Sequence, residues 1–217
     1  GLKKVAEEAG KAGAIMSAGL TLPLAGLAKM GMSFNAMKES ALISFTQIIG
    51  SSDEAQAHLD DLITFTAKTP FELGTVVGAS QKLQAMGVTA EGVLPLLAAI
   101  GDSAAAMGGD PGKVDQLTLA FGKMSAQGKI TGETLAMIEE AGVGLRKHLA
   151  EELGTTTADV TEQISKGMID ADTAMSAFVE GQAKALGGTG ALMNAQSATI
   201  NGLFSTLKDT FRGLLGD

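Results

Sequence analysis

Glycine interrupts this chain wherever a long helix would otherwise run on, and that constrains the architecture more than any other feature. Twenty-nine glycines are spread through 217 residues whose apolar side chains otherwise keep helical spacing. Each glycine inside a helix costs ~1 kcal/mol relative to alanine. A single uninterrupted helix of this length would reach ~325 Å at 1.5 Å per residue. The glycines rule that out, so many must be caps, turns or close-packing points and the chain must fold back on itself.

Helix starts alternate with the glycine stops. The spacing predicts a helix over Leu2–Ala18, a break at Gly19–Pro23, and a second helix over Leu24–Ile49 ending at Gly50. Ser51 and Glu54 form an S-x-x-E box that opens a helix through Thr66. Thr69-Pro70-Phe71-Glu72 reads as a complete start: Thr69 caps, Pro70 takes the first helical position, and Glu72 reaches back. That helix closes at Gly87. Thr89 starts the next, through Met107, with Gly108-Gly109 as its stop, and Asp110-Pro111 opens another to Ala126. Shorter helices follow over Thr131–Ala141, Val143–Leu153 and Thr156–Lys166, and then Asp170–Leu186 before Gly187-Gly188. Gly128, Gly142, Gly154 and Gly167 punctuate this second half. Sustained strand alternation is nearly absent. The fold class is therefore all-α: a compact array of roughly nine to eleven short-to-medium helices with no sheet. An apolar helical lead-in over 1–40, a main helical domain over 41–190 and an amphipathic helix over 191–217 are expected.

That last segment places Ile200, Leu203, Phe204, Leu207, Phe211, Leu214 and Leu215 on one stripe, with Lys208, Asp209 and Arg212 off it. The stripe must be buried, either on this domain or in a longer helical rod. A short echo also runs through the chain. Gly128-Lys129-Ile130-Thr131, Thr134 and Gly142 recur 39 residues later as Gly167-Met168-Ile169-Asp170, Thr173 and Gly181. It is either two similar helical units side by side or common cap residues used twice.

Composition closes off several function classes. Aromatic residues make up 4% of the chain, with eight Phe and no Trp or Tyr, so methionine and leucine must fill irregular gaps between small side chains. Modest stability is expected, completed by a partner or by self-association. A net charge of −8 disfavours nucleic acid, and the absence of cysteine excludes disulfides and thiol chemistry. The chain opens Gly-Leu-Lys-Lys rather than with Met, which reads as a fragment or a processed product. The uncharged run Ala12–Ala28 carries Pro23 and falls short of the ~20 residues that span a bilayer. It reads better as a broken helical pair than as a membrane segment.

No constellation for catalysis, cofactors or metals emerges. His58 and His148 stand without a third ligand at metal spacing and read as surface helix residues. Adjacent carboxylates such as Asp60-Asp61 and Glu139-Glu140 point ~100° apart on a helix and share no site. Gly108-Gly109-Asp110-Pro111-Gly112-Lys113 lacks phosphate-loop spacing. Leu149–Ser165 is spaced like a DNA-reading helix-turn-helix, but its second helix carries Asp159 and Glu162 and no basic residue.

What the chain does carry is an ordered set of segments. SFTQIIGSSDEA is followed by DLITFTAKTPFE, KLQAMGV, LLAAIGDSAAAMGG, GKITGETLAMIEEAG with LAEELG, SKGMIDADTAMSAFVEG and QSATINGLFSTLKD. This order, over roughly Ala41 to Asp209, resembles the N-terminal domain of phage and prophage tail tape measure proteins. The apolar GLTLPLAGLAKMGMSF upstream is similar to the lead-in of that family. The resemblance implies a non-enzymatic virion domain, in the tail lumen and, during assembly, in the host cytoplasm. It implies a part in tail length determination, tube assembly and genome ejection, without cofactors. The implied partners are tail tube, tail-tip or baseplate proteins, assembly chaperones and further copies of the chain, with no specific nucleic acid and with transient host-membrane contact. A membrane-active module and a cell-wall hydrolase-associated domain are the alternatives. The family's long coiled region is missing from this sequence. Thr69, Pro70, Phe71, Glu72, Gly87, Gly128, Gly142, Gly154 and Gly167 carry the family likeness, Phe71 as a core anchor. Ile200, Leu203, Phe204, Leu207 and Phe211 form a partner-facing stripe.

Overall fold

The computed structural model describes residues 34–193 other than Lys68, together with Ala195 and Ala198. Helix α1 (34–49) contains the division between two compact units, 1–43 and 44–217. In the first unit, the Lys38 ammonium lies 5.9 Å from the Phe34 ring centroid. The second unit continues with α2 (Ser52–Ala67), α3 (Leu73–Ala85), α4 (Ala90–Ala106), α5 (Pro111–Gln127), α6 (Gly132–Glu140), α7 (Leu145–Glu152), α8 (Thr157–Ser165) and α9 (Ala171–Leu186). A further helical stretch begins at 191. The fold is all-α as expected, and no strand occurs among the described residues. The expected lead-in helix Leu2–Ala18 and its break lie outside them.

Local chemistry sets most boundaries. Thr89 accepts a hydrogen bond from Gly92 N at 3.3 Å, and Asp110 accepts from Gly112 N at 2.8 Å with Pro111 opening α5. Thr131 with Thr134, and Thr156 with Asp159, close reciprocal capping boxes, while Asp170 accepts from Thr173 N at 2.7 Å. Gly50, Gly87, Gly128, Gly142, Gly154, Gly167 and Gly187 all end helices with positive φ.

The helical layers meet around α4, α5 and α9. The Phe121 and Phe178 rings, both fully buried, sit 4.5 Å apart between α5 and α9, with Leu117 and Met124 beside them. Elsewhere close approach relies on paired glycine and methionine. A Cβ on Gly122, Gly142 or Gly101 would overlap the sulfur of Met86, Met107 or Met193 respectively.

The echo has a structural counterpart at its first half. Gly128 and Gly167 share left-handed φ (68° and 65°), and Ile130 and Ile169 are both buried. The two copies pair with each other: Ile130 N donates to Ile169 O at 3.2 Å and Ala171 N to Gly128 O at 3.1 Å, an isolated antiparallel bridge. The likeness runs on through the caps, with Thr131 accepting from Thr134 N and Asp170 from Thr173 N, and ends at the last glycine. Gly142 closes α6, whereas Gly181 lies inside α9, its missing side chain making room for His148.

Candidate functional site

One carboxylate occupies a position that nothing in the local pattern prepares for. The middle of α4 is a run of small residues in which Asp102 is fully buried. A bare charge there would be costly to desolvate. Its oxygens instead accept three backbone N–H groups from the far end of the chain. Oδ2 takes Gly190 N at 2.6 Å, and Oδ1 takes Leu192 N at 3.1 Å and Met193 N at 3.0 Å. These are the orphan donors of the helical stretch that begins at 191, so α4 supplies that helix with its N-cap across space. One residue on, Ser103 donates to Ala99 O at 2.7 Å and receives Gln182 Nε2 of α9 at 2.8 Å.

The seat has an apolar half. Met193, fully buried, lies against Ala98 and Ala105 and over Gly101, with Phe65, Phe71 and Leu192 half-buried around it. The turn leading in holds Gly187, Gly188 and Gly190 at φ 84°, 135° and 76°. These values are open to glycine at no steric cost.

Thr69-Pro70-Phe71-Glu72 contributes here, but not as a helix start. α3 begins at Leu73 with Glu72 as its N-cap, and Glu72 makes no side-chain cap bond. The capping role expected of Thr69, the first-turn position of Pro70 and the reach-back of Glu72 are therefore corrected. Thr69 N instead bonds Thr66 O at 3.2 Å, and its hydroxyl points to the same carbonyl, finishing α2. The turn swings Phe71 toward Met193. Phe71 is a half-buried side of the seat rather than a fully buried anchor. Gly87, Gly128, Gly142, Gly154 and Gly167 all occupy helix ends, none of them in the seat. The stripe Ile200, Leu203, Phe204, Leu207 and Phe211 lies outside the described residues.

A family model described as Tape measure protein matches residues 25–217. The chain belongs to the tape measure protein family. Membership makes it a structural component of the phage tail. No curated protein and no solved structure matches it.

Both histidines of this tape measure domain lie at packed helix contacts. His58, expected at the surface, is 6% exposed beneath the edge of Phe45. Ser80 Oγ and Gln84 Nε2 each lie 2.8 Å from its Nε2. Burial pushes its pKa down, against Asp61 and Glu91, which raise it. Ser80 is itself fully buried. His148 is half-buried against Gly181, and burial lowers its pKa too. An open groove of about 350 Å³ runs between the start of α4 and α9, floored by Val88, Leu96, Met175 and Val179 and edged by Asp172 and Glu180. Among the described residues no group of three His, Cys, Asp or Glu could hold a metal ion, and no helix is long and apolar enough to cross a membrane. The run Ala12–Ala28 lies outside them. The α7–α8 hairpin is present, and α8 carries Asp159 and Glu162 as the sequence indicates.

Asp102 was missed by sequence reasoning. The clue available was a lone acid inside an otherwise uncharged run, LLAAIGDSAAAMGG, at helical spacing.

Proposed function

We propose that this chain is the folded, non-enzymatic head of a tape measure protein. It holds the start of the outgoing helical segment while the parent protein sets tail length, templates the tube and leaves ahead of the DNA. The family match over 25–217 carries this reading. The seat at Asp102 is consistent with it, because it fixes the start of the helical stretch that begins at 191. Tail tube and tail-tip or baseplate proteins, assembly chaperones and other copies of the chain are its partners in this proposal. It sits in the tail lumen of the virion and in the host cytoplasm during assembly. The acidic surface suits a plug that shares the tube with DNA without gripping it. The test is imaging of assembled tails whose parent protein has been shortened downstream of residue 217. Shortened tails support the ruler assignment, and tails of unchanged length refute it. Peptidoglycan turnover in a zymogram would refute the non-enzymatic part.

A further inference from the structure

We propose that the groove between the start of α4 and α9 docks an amphipathic helix of a partner protein, one with lysine or arginine beside its apolar stripe. Floor and edge ask for different chemistry. Val88 and Leu96 are buried and Met175 and Val179 half-buried, so the volume of about 350 Å³ above them takes apolar side chains. The edge is acidic. Asp172 and Glu180 are both exposed, and neither belongs to an ion pair among the described residues. No lysine or arginine lines the groove. The two acids stand at i and i+8 on α9, ~12 Å apart along its axis, with Met175, Ser176 and Val179 between them on the same face. A furrow built at that period accepts the ridge of a further helix. A helix lying along α9 then needs cations about two turns apart with apolar residues between them.

The same charge continues past the groove. Pro95, exposed within α4, also lines a hollow of about 420 Å³ on the α2 side, where Glu54, Asp61 and Glu91 stand around Leu94. None of these three carboxylates is ion-paired among the described residues, and Pro95 has no N–H to offer the Glu91 carbonyl. The ridge of α4 is thus apolar with negative charge on both flanks, a field that a cationic partner relieves. This combination selects the occupant. A small cation leaves the apolar floor unfilled, and an anionic bilayer meets like charge on both flanks. A second copy of this chain brings a net charge of −8 against it. A basic amphipathic helix satisfies floor and edge together. Docking here is independent of the tail-length role proposed above, and its failure leaves that role standing.

Titration of the methyl-labelled 217-residue chain with an amphipathic leucine–lysine peptide of about four turns, its lysines two turns apart, tests it. Saturable shifts are expected at the methyls of Val88, Leu96, Met175 and Val179, and none at Leu119 or Met168, which are exposed elsewhere. The same peptide with glutamate for lysine should not bind, and affinity for the lysine form should fall as salt rises. Asp172→Asn with Glu180→Gln, both at exposed positions, should weaken binding at least about tenfold. The proposal is overturned if no saturable shift appears, if both peptides bind alike, or if Leu119 and Met168 shift equally. These arms need no variant to fold. It is also overturned if another occupant holds the groove before peptide is added. Nuclear Overhauser contacts from residues 200–215 to Met175 would make that occupant the chain itself, and a dimer dispersed by the double variant would make it a second copy.

Discussion

The same substitution, glycine to alanine within a helix, should have opposite signs at Gly78 and Gly181. Both lie inside helices, α3 and α9, and neither needs positive φ. A Cβ on Gly78 meets nothing within 4 Å among the described residues. Gly78→Ala therefore gains helix propensity alone, about 0.5–1 kcal/mol of added stability. A Cβ on Gly181 would overlap the His148 ring and come to 2.8 Å from His148 Cβ. Because the clash includes Cβ, turning the ring cannot clear it, and α7 has to shift. Overpacking of this kind costs ~1–3 kcal/mol, so against the same propensity gain Gly181→Ala should lose up to about 2 kcal/mol. Urea unfolding followed by circular dichroism reads both values. His148→Ala in the Gly181→Ala background removes the ring but keeps Cβ, so it should recover part of the loss, a coupling that a double-mutant cycle measures. If Gly181→Ala is as stable as the parent, or if the two changes simply add, the α7–α9 contact described above is wrong.

Other consequences follow from caps, turns and titration. Thr131→Ala removes a reciprocal capping box and should cost about 1 kcal/mol in the same assay. Gly128→Ala and Gly167→Ala should each cost ~1–2 kcal/mol. Both positions are left-handed, and the side chain in the way at Gly167 is the flexible end of Lys129, so closely similar losses are expected. Burial depresses the folded pKa of His58 and His148, so their contribution is full above pH 6.5 and is lost as pH falls below it through the folded values. Unfolding free energy should therefore drop between pH 7.5 and 5, and drop less in a His58→Asn/His148→Asn variant. Hydrogen bonds from Thr156 and Thr155 lower the Asp159 pKa, and those from Thr173 lower that of Asp170. Their share is present above pH 3.8 and disappears only on further acidification, so Asp170→Asn should flatten the stability curve below that pH and not between 5 and 7.5.

What could be read from the sequence was local. Thr89, Asp110, Thr131, Thr156 and Asp170 cap helices with donors two or three residues away, so four-residue windows were enough to find them. The glycine stops were legible for the same reason. Thr69 and Glu72 were misread because Phe71 is drawn to Met193, a tertiary demand that moved the start of α3 to Leu73. His58 looked like a surface residue because Ser80 and Gln84, which satisfy it, lie 22 and 26 residues on. Asp102 was furthest from reach, its donors being 88 to 91 residues away. Periodicity ranks an acid on an apolar face as an error, and only the assembled fold shows the helix end it serves.

The bridge between Lys129 and Asp170 has a topological consequence. The chain leaves the α5 end at Gly128 and returns beside it at Ala171, so α6, α7 and α8 form a side loop closed at its neck. A loop whose two ends are clasped can grow, shrink or be exchanged while the strands of chain entering and leaving stay in register. Two backbone hydrogen bonds that involve no residue of α6, α7 or α8 thus fix the end of α5 against the start of α9.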